Sequence, residues 1–536
     1  MARGRQQVSK VVSGASPTKG INDTDPLANT EAGFCISMLN LFPNNASVDL
    51  RSGYQEFVVG IDYAISRLLV YAGMGGTYKL FAVTNAGIFD ASTATDPDYP
   101  ISPSNLHALT SGLVTATQLT NTGGTYLIAA NGVDDACFYN GTSWAPFVAD
   151  ATPVNPGEID GLAPDSITCP LLFKNRLWVV EKDSLSLWYF PTDAVAGVLQ
   201  EFPMGGVFPR GGKIVEIVSW SLDTGAGMDD MFVVRSSMGE IAIYSGTDPT
   251  DALTWELVSV YYVSEPVGKV SSVDLGGDSI MLTRSGLIPL SKVVQGVATE
   301  SLFESALSRN ISKTLNRLIV SKAPSTTFEW EVHNIPALQM LMVLIPPTAT
   351  TTSSQYVMNT TTGAWTSFDL PATCAAVSAG VLYFGTADGR VCKYTSWSAV
   401  TKDCVKLDGT GGGYVSGEFL SSFSYLGDPT TLKHFKLVRP VLQALTQPDV
   451  RMSIAVDFNT SDANTYGTPT GSVTQAYNWD EAIWDEATWA TSNTIFRPWS
   501  SVTGMGYAAA LRFKMSNISA TSLAAVEVVY ESGGVV

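Results

Sequence analysis

Charge is scarce in this chain and histidine scarcer still. Only 15% of the 536 residues are Asp, Glu, Lys or Arg, against 45% hydrophobic. The exposed surface must therefore draw on Ser, Thr, Asn and Gly, a balance that favours strands and turns over solvated helices. The three histidines, His107, His333 and His434, stand apart from any serine or cysteine nucleophile motif and lack metal-ligand spacing. The six cysteines, Cys35, Cys137, Cys169, Cys374, Cys392 and Cys404, show no CxxC pair and are expected to be reduced core thiols of a protein made in a cytoplasm. No GxSxG, GxxxxGK[ST] or HExxH occurs, which removes the commonest hydrolase, nucleotidase and metalloprotease signatures. No apolar run approaches the roughly 18 residues of a membrane span. MARGRQQVSK at the start has basic residues without the apolar stretch of a secretory signal.

Basic residues are also in deficit. The 31 Lys and Arg face 49 Asp and Glu, a formal charge of −18, which argues against an extended surface built to clamp nucleic acid. An acidic wall suits a passage along which DNA slides without sticking, although its repulsion reaches only about 8 Å at physiological salt. From charge alone, the plainer reading is that it keeps a particle soluble.

What is present is repetition. From about residue 60 to 400 an apolar strand, a turn and an aromatic-rich second strand recur. The recurrences begin at Lys79, Thr125, Asn175, Asp230, Ser279, Gln339 and Gly380, at intervals of 46, 50, 55, 49, 60 and 41 residues. That is close to the period of a four-stranded propeller blade. One such unit exposes a sheet face it cannot bury, and stacking units around an axis solves this. The reading is an all-β chain, a β-propeller of six or seven blades over residues 61–400, with a pair of β-sandwiches as the alternative. Residues 1–16 read as a flexible arm, and 17–60 as a segment whose VDLRSGY could supply a strand closing the ring. Residues 401–417, with DGTGGGY, read as a linker or loop. Residues 418–536 read as a β-sandwich-like domain built from LKHFKLVRPVLQA, VRMSIAVDFNT, AAALRFKMSN and LAAVEVVYES.

One segment breaks the β pattern. In SLFESALSRNISKTLNRLIVSK, Phe303, Leu307, Ile311, Leu315 and Leu318 recur at helical spacing, and Ser301 with Glu304 forms a capping box. The spacing predicts an amphipathic helix of about four turns, packed on the propeller or offered to a neighbouring subunit. Two clusters invite chemistry. Asp23 and Asp25 lack the rest of a calcium loop and suit a turn. Trp479, Trp484 and Trp489, flanked by four carboxylates, suit either an aromatic ladder or a sugar-binding strip. YNGTSW at Tyr139 and NTTTGAW at Asn359 resemble, as turns only, the Asp-box hairpins of sialidase-like propellers.

The segment PTKGINDTDPLANTEAGFCISMLNLFPNNASVDLRSGY resembles the N-terminal signature of podoviral tail nozzle proteins, also called tail tubular protein B or packaged-DNA stabilisation proteins. The matching residues are Gly20, Ile21 and Asn22, then Asp25 and Pro26, then Leu39, Asn40, Phe42 and Pro43, and finally Arg51 and Gly53. FKLVRP and the WDEAIWDEATW stretch resemble the segments C-terminal to the propeller in that family. NNAS stands where the family commonly has a Pro-Gly turn. The resemblance implies a non-enzymatic virion tail component without cofactor or metal, assembled as a homo-hexameric ring below portal and adaptor proteins. It also implies contact with tail fibres or a tail-tip plug, and a channel that retains double-stranded DNA and conducts it without sequence-specific binding. Phe303, Leu307, Ile311, Phe435 and Arg439 are the expected subunit contacts. The rival expectation is a carbohydrate-binding or depolymerising adhesin on a propeller.

Overall fold

A computed structural model describes residues 9–96, 98, 102–223, 228–251, 253–296, 304–322, 324–348, 353–394, 402–461, 466–467 and 494–535. It is almost entirely β, and seven small antiparallel sheet units follow one another from Ile65 to Tyr394. Each repeat recognised in the sequence supplies the second strand of one unit, from Thr77–Thr84 in the first to Val381–Thr386 in the seventh. The first four are separate four-stranded sheets and the fifth has three strands. The sixth (Glu331–Ile335 to Trp365–Phe368) and seventh are joined into a larger, nearly closed sheet.

The units form a ring because their faces need one another. Leu69, Tyr71 and Phe81 of blade 1 share a buried core with Leu127, Tyr139 and Trp144 of blade 2. Trp178 of blade 3 stacks on Trp255 of blade 4, with ring centroids 5.4 Å apart and planes 16° apart. Blade 7 meets blade 1 through Cys374, Ala376 and Val391 against Leu68, Ala82 and Phe89. Every interface thus buries apolar area that a lone sheet would leave in water. The turns behave as their sequences imply. Asn140 Oδ1 accepts from the amides of Thr142 and Ser143, and Asn359 Oδ1 from those of Thr361 and Thr362, while Trp144 and Trp365 are buried.

Closure of the ring comes later in the chain than VDLRSGY suggested. Tyr54–Val58 pairs antiparallel with Val391–Tyr394 and completes blade 7. Val48–Leu50 instead joins Leu41–Pro43 and the C-terminal strand Thr521–Val535. The arm expected at residues 1–16 is structured from Ser9, since Ser9–Ala15 pairs along its whole length with Ala525–Glu531. The expected linker at 401–417 is a hairpin, with Lys402–Val405 paired to Gly411–Tyr414. Strand Gly411–Ser421 continues between Phe34–Leu39 and Ala509–Asn517. Linker and sandwich are therefore one sheet, hydrogen-bonded through the N-terminal segment to blades 6 and 7. A second sheet, Thr431–Ala444 beside Thr521–Val535, faces it across Phe435, Val438, Met452, Phe513 and Val526, which is sandwich packing.

The helix is shorter than its apolar periodicity predicts. It runs Ser312–Ser321 after a 3-10 turn at Arg309–Ile311. The chain is interrupted at Leu307 and Ser308 because both serve blade 5: the Leu307 amide donates to the Leu287 carbonyl, and the Ser308 hydroxyl accepts from the Leu287 amide. Sheet pairing outcompetes helical continuation there. Phe303 and Ser301 of the expected capping box lie outside the described residues, as does the Trp479, Trp484 and Trp489 cluster. At the start of the described helix, Asp23 Oδ2 accepts from the Thr314 amide in the first turn, at 2.8 Å.

Candidate functional site

Part of the N-terminal motif converges on one junction, centred on Asn40 and Arg51. Asn40 is buried with φ of 55°, a left-handed conformation that asparagine tolerates better than most residues. Its amide donates to the Ser367 carbonyl at the end of blade 6, and its Nδ2 donates to the Ser416 carbonyl of the sandwich sheet. Its Oδ1 accepts from Arg51 Nε at 2.8 Å and from the Asp369 amide at 3.2 Å. Arg51, 3% exposed, forks onto Asp403 at 2.6 and 2.7 Å and reaches Asp369 at 2.9 Å. Burial alone would lower the Arg51 pKa, but the hydrogen bonds and charge of Asp403, with Asp369, outweigh it and hold the guanidinium charged.

The rest of the motif makes this junction possible. A Cβ on Gly53 would lie 1.9 Å from the Lys402 carbonyl oxygen, and one on Gly20 2.4 Å from that of Trp365, so both positions require glycine. The Pro43 carbonyl accepts from Asn359 Nδ2 at 2.9 Å. Phe42 is buried in the blade 6–7 core, and Leu39 pairs with both Ser367 and Glu418. Asn22 and Asp25 close a turn through a 2.8 Å hydrogen bond, and the Pro26 carbonyl accepts from the Asn29 amide. These residues bind chain to chain.

The expected subunit contacts do not form one surface. Ile311 and Phe435 are fully buried within this chain because the helix stripe and the sandwich interior consume them. Leu307 packs against the same core. Arg439 is more exposed, ion-paired with Glu527 and seated 4.4 Å above the Trp499 ring.

A second constellation, one that the sequence alone did not point to, rings the propeller axis. The inner strands surround a cavity of about 400 Å³, lined in blade order by Arg67, Thr117, Cys169, Glu216, Lys269, Glu331 and Ala375. Four inner strands carry a register irregularity at the same depth, before Arg67, Leu171, Glu216 and Cys374, and such bulges re-aim side chains. Polar contacts cross between blades there. The Thr373 hydroxyl donates to the Ile65 carbonyl at 2.7 Å, the Cys169 amide to the Thr115 hydroxyl at 3.0 Å, and the Cys169 thiol to the Val215 carbonyl at 3.1 Å.

Charged pairs complete this girdle. Arg67 pairs with Glu331 and, at 2.8 Å, with Glu329. His333 Nε2 lies 2.6 Å from Glu331 Oε2, which also accepts from the Ala375 amide. Arg235 Nη1 donates to Glu216 at 2.6 Å, and Ser271 and Ser272 of the blade 5 approach donate to the same oxygen. The two pairs differ electrostatically. Burial would raise the Glu331 pKa, yet Arg67 and His333 bring it below its ordinary value. At Glu216 burial prevails and the pKa rises despite Arg235. The signal that could have revealed the girdle is a charge early in an otherwise apolar strand, as in ISRLLVY and KIVEIVSW.

All six cysteines are free, and five are buried. Burial pushes the thiols of Cys35, Cys374 and Cys392 far up, and those of Cys169 and Cys137 to about 11 and about 12, which leaves them poor nucleophiles. Among the described residues no group of three or more His, Cys, Asp or Glu could hold a metal ion, and no helix is long and apolar enough to cross a membrane.

No protein-family model matches the chain, and no curated protein does. Solved structures match the chain only at low likeness. YCF48 from Cyanidioschyzon merolae is 10% identical over 64% of this chain and 98% of its own, with a TM-score of 0.37. The computationally designed Ika8 protein is 10% identical over 64% and 100%, with a TM-score of 0.35. The GH74 xyloglucanase from Xanthomonas campestris is 14% identical over 65% and 54%, with a TM-score of 0.35. Likeness of this degree carries no functional argument.

Proposed function

We propose that this chain is a structural component of a bacteriophage tail, the nozzle that retains packaged DNA and conducts it at ejection. The supporting observation is the use of the motif that resembles podoviral nozzle proteins. Asn40, Arg51, Gly53, Pro43 and Gly20 meet where the propeller, the N-terminal segment and the sandwich are locked together. A motif that joins domains suits a chain that transmits mechanical load, and the net charge of −18 suits a wall past which DNA must slide. Copies of the chain would close a heterologous ring by rotation.

Light scattering and negative-stain electron microscopy of the purified protein test this reading. A six-fold ring with a central passage is the expected result. A particle that remains monomeric at micromolar concentration and releases reducing sugar from a polysaccharide would overturn it and favour the adhesin.

A further inference from the structure

The two sheets of the C-terminal sandwich close fully at one place and part at another. Val438 of one sheet, and Met452 and Phe513 of the other, are completely buried. Val12, Val528 and Ile454 pack against the same core, yet they are only partly buried. Beside them lies a cavity of about 390 Å³, walled by Val12, Phe435 and Val528 from one sheet and by Phe419, Ile454 and Leu511 from the other. It falls in the size range of small-molecule pockets.

The chemistry of the wall limits what can enter. Lys19 is the one charged residue lining this cavity, and its ammonium is already paired with Glu31 and seated 5.4 Å from the centre of the Phe34 ring. A charged ligand would lose its hydration there without gaining a free counter-charge. The Ser421 hydroxyl is also spent, since it accepts from the Leu511 amide at 2.9 Å and donates to the Ser422 carbonyl at 3.2 Å. Thr18 and Ser422 line the cavity too, and their hydroxyls form no hydrogen bond among the described residues. An inserted peptide would bring backbone amides that strands already paired with one another leave unsatisfied.

Gly14 keeps the space open. It pairs with Val526 and so faces the interior on the same side of its strand as Val12, the partner of Val528. A Cβ at Gly14 would have only the Val526 carbonyl oxygen within 4 Å, at 3.8 Å, so the backbone admits a side chain that would fill the cavity.

We propose that this cavity binds an uncharged aliphatic ligand, a linear alkyl chain ending in a hydroxyl, with the chain held between the two sheets and the hydroxyl at Thr18 and Ser422. The cavity shares no lining residue with the one at the propeller axis, and the proposal does not depend on the tail reading.

The test is calorimetric titration of the full chain with 1-butanol, 1-hexanol, 1-octanol and octanoate. Affinity for the alcohols should rise about fourfold with each added methylene. Octanoate should bind roughly tenfold more weakly than 1-octanol, because its carboxylate must be desolvated. Gly14→Leu should abolish 1-octanol binding while circular dichroism shows the fold intact, and Val12→Phe serves in its place if that variant does not fold. Gly413→Leu, at a position where a Cβ meets nothing within 4 Å and which does not line the cavity, should bind as the parent does. Absence of saturable one-to-one binding of 1-octanol to the parent protein would overturn the proposal. So would octanoate binding as tight as 1-octanol, or undiminished binding in a folded cavity-filling variant.

Discussion

Arg51 and Asp403, 352 residues apart in the chain, face each other through two parallel hydrogen bonds of 2.6 and 2.7 Å. The pair fastens the entrance of the closing strand Tyr54–Val58 to the hairpin leaving the propeller. Both ends of the ring and the start of the sandwich are thereby held at one guanidinium. Lysine cannot reproduce the fork, which also takes Asp369 and Asn40.

Arg51→Ala should therefore cost about 3–5 kcal/mol, the range for breaking a buried ion pair from one side. Arg51→Lys should recover only part of it. Chemical denaturation followed by tryptophan fluorescence measures both, and a loss under about 1 kcal/mol in Arg51→Ala would show that the junction carries little of the stability.

Gly53→Ala places a methyl 1.9 Å from the Lys402 carbonyl, whereas Gly413→Ala meets nothing within 4 Å. Backbone must move in the first variant and need not in the second. The expected outcome is a marked fall in Tm for Gly53→Ala, corresponding to at least about 1–3 kcal/mol, and little change for Gly413→Ala. Equal Tm values would mean that the close approach is not a constraint.

Trp178 is buried between blades 3 and 4 and packs on Trp255 and Phe232, 5.4 and 4.6 Å away between ring centroids. Trp178→Ala should destabilise the propeller by about 3–5 kcal/mol through lost transfer energy and a residual cavity. Differential scanning calorimetry should show the main transition shifted down.

Glu331 has a folded pKa below its unfolded value near 4.5. The stability it contributes is thus fully present above that unfolded value and is lost as pH falls through the folded one. Glu331→Gln should cost about 3 kcal/mol at pH 7 and progressively less as pH falls below the unfolded value toward the folded one. Glu216 has the opposite sign, because its raised pKa makes folding take up a proton; its titration lowers stability as pH rises above the unfolded value. Thermal melts of parent and Glu331→Gln from pH 7 down to about pH 3 decide this, and a gap that does not shrink below the unfolded value would refute the assignment.

Much of the fold was legible because its signals are local. The apolar second strand of every blade, the Asn-led turns at Asn140 and Asn359, and the glycines that admit close backbone approach are written within a few neighbouring residues, where strand periodicity and turn chemistry operate. Blade stacking followed as well, since a sheet face rich in Leu, Phe and Trp has no stable place in water. Only the tertiary structure decided what depends on partners far along the chain. Ser9–Ala15 is a strand because Ala525–Glu531 offers it an edge. Residues 307–308 leave the helix because Leu287 needs hydrogen bonds. Arg67 and Glu331, 264 residues apart, become neighbours only when the ring closes, because no local pattern encodes which charge will meet which across an axis.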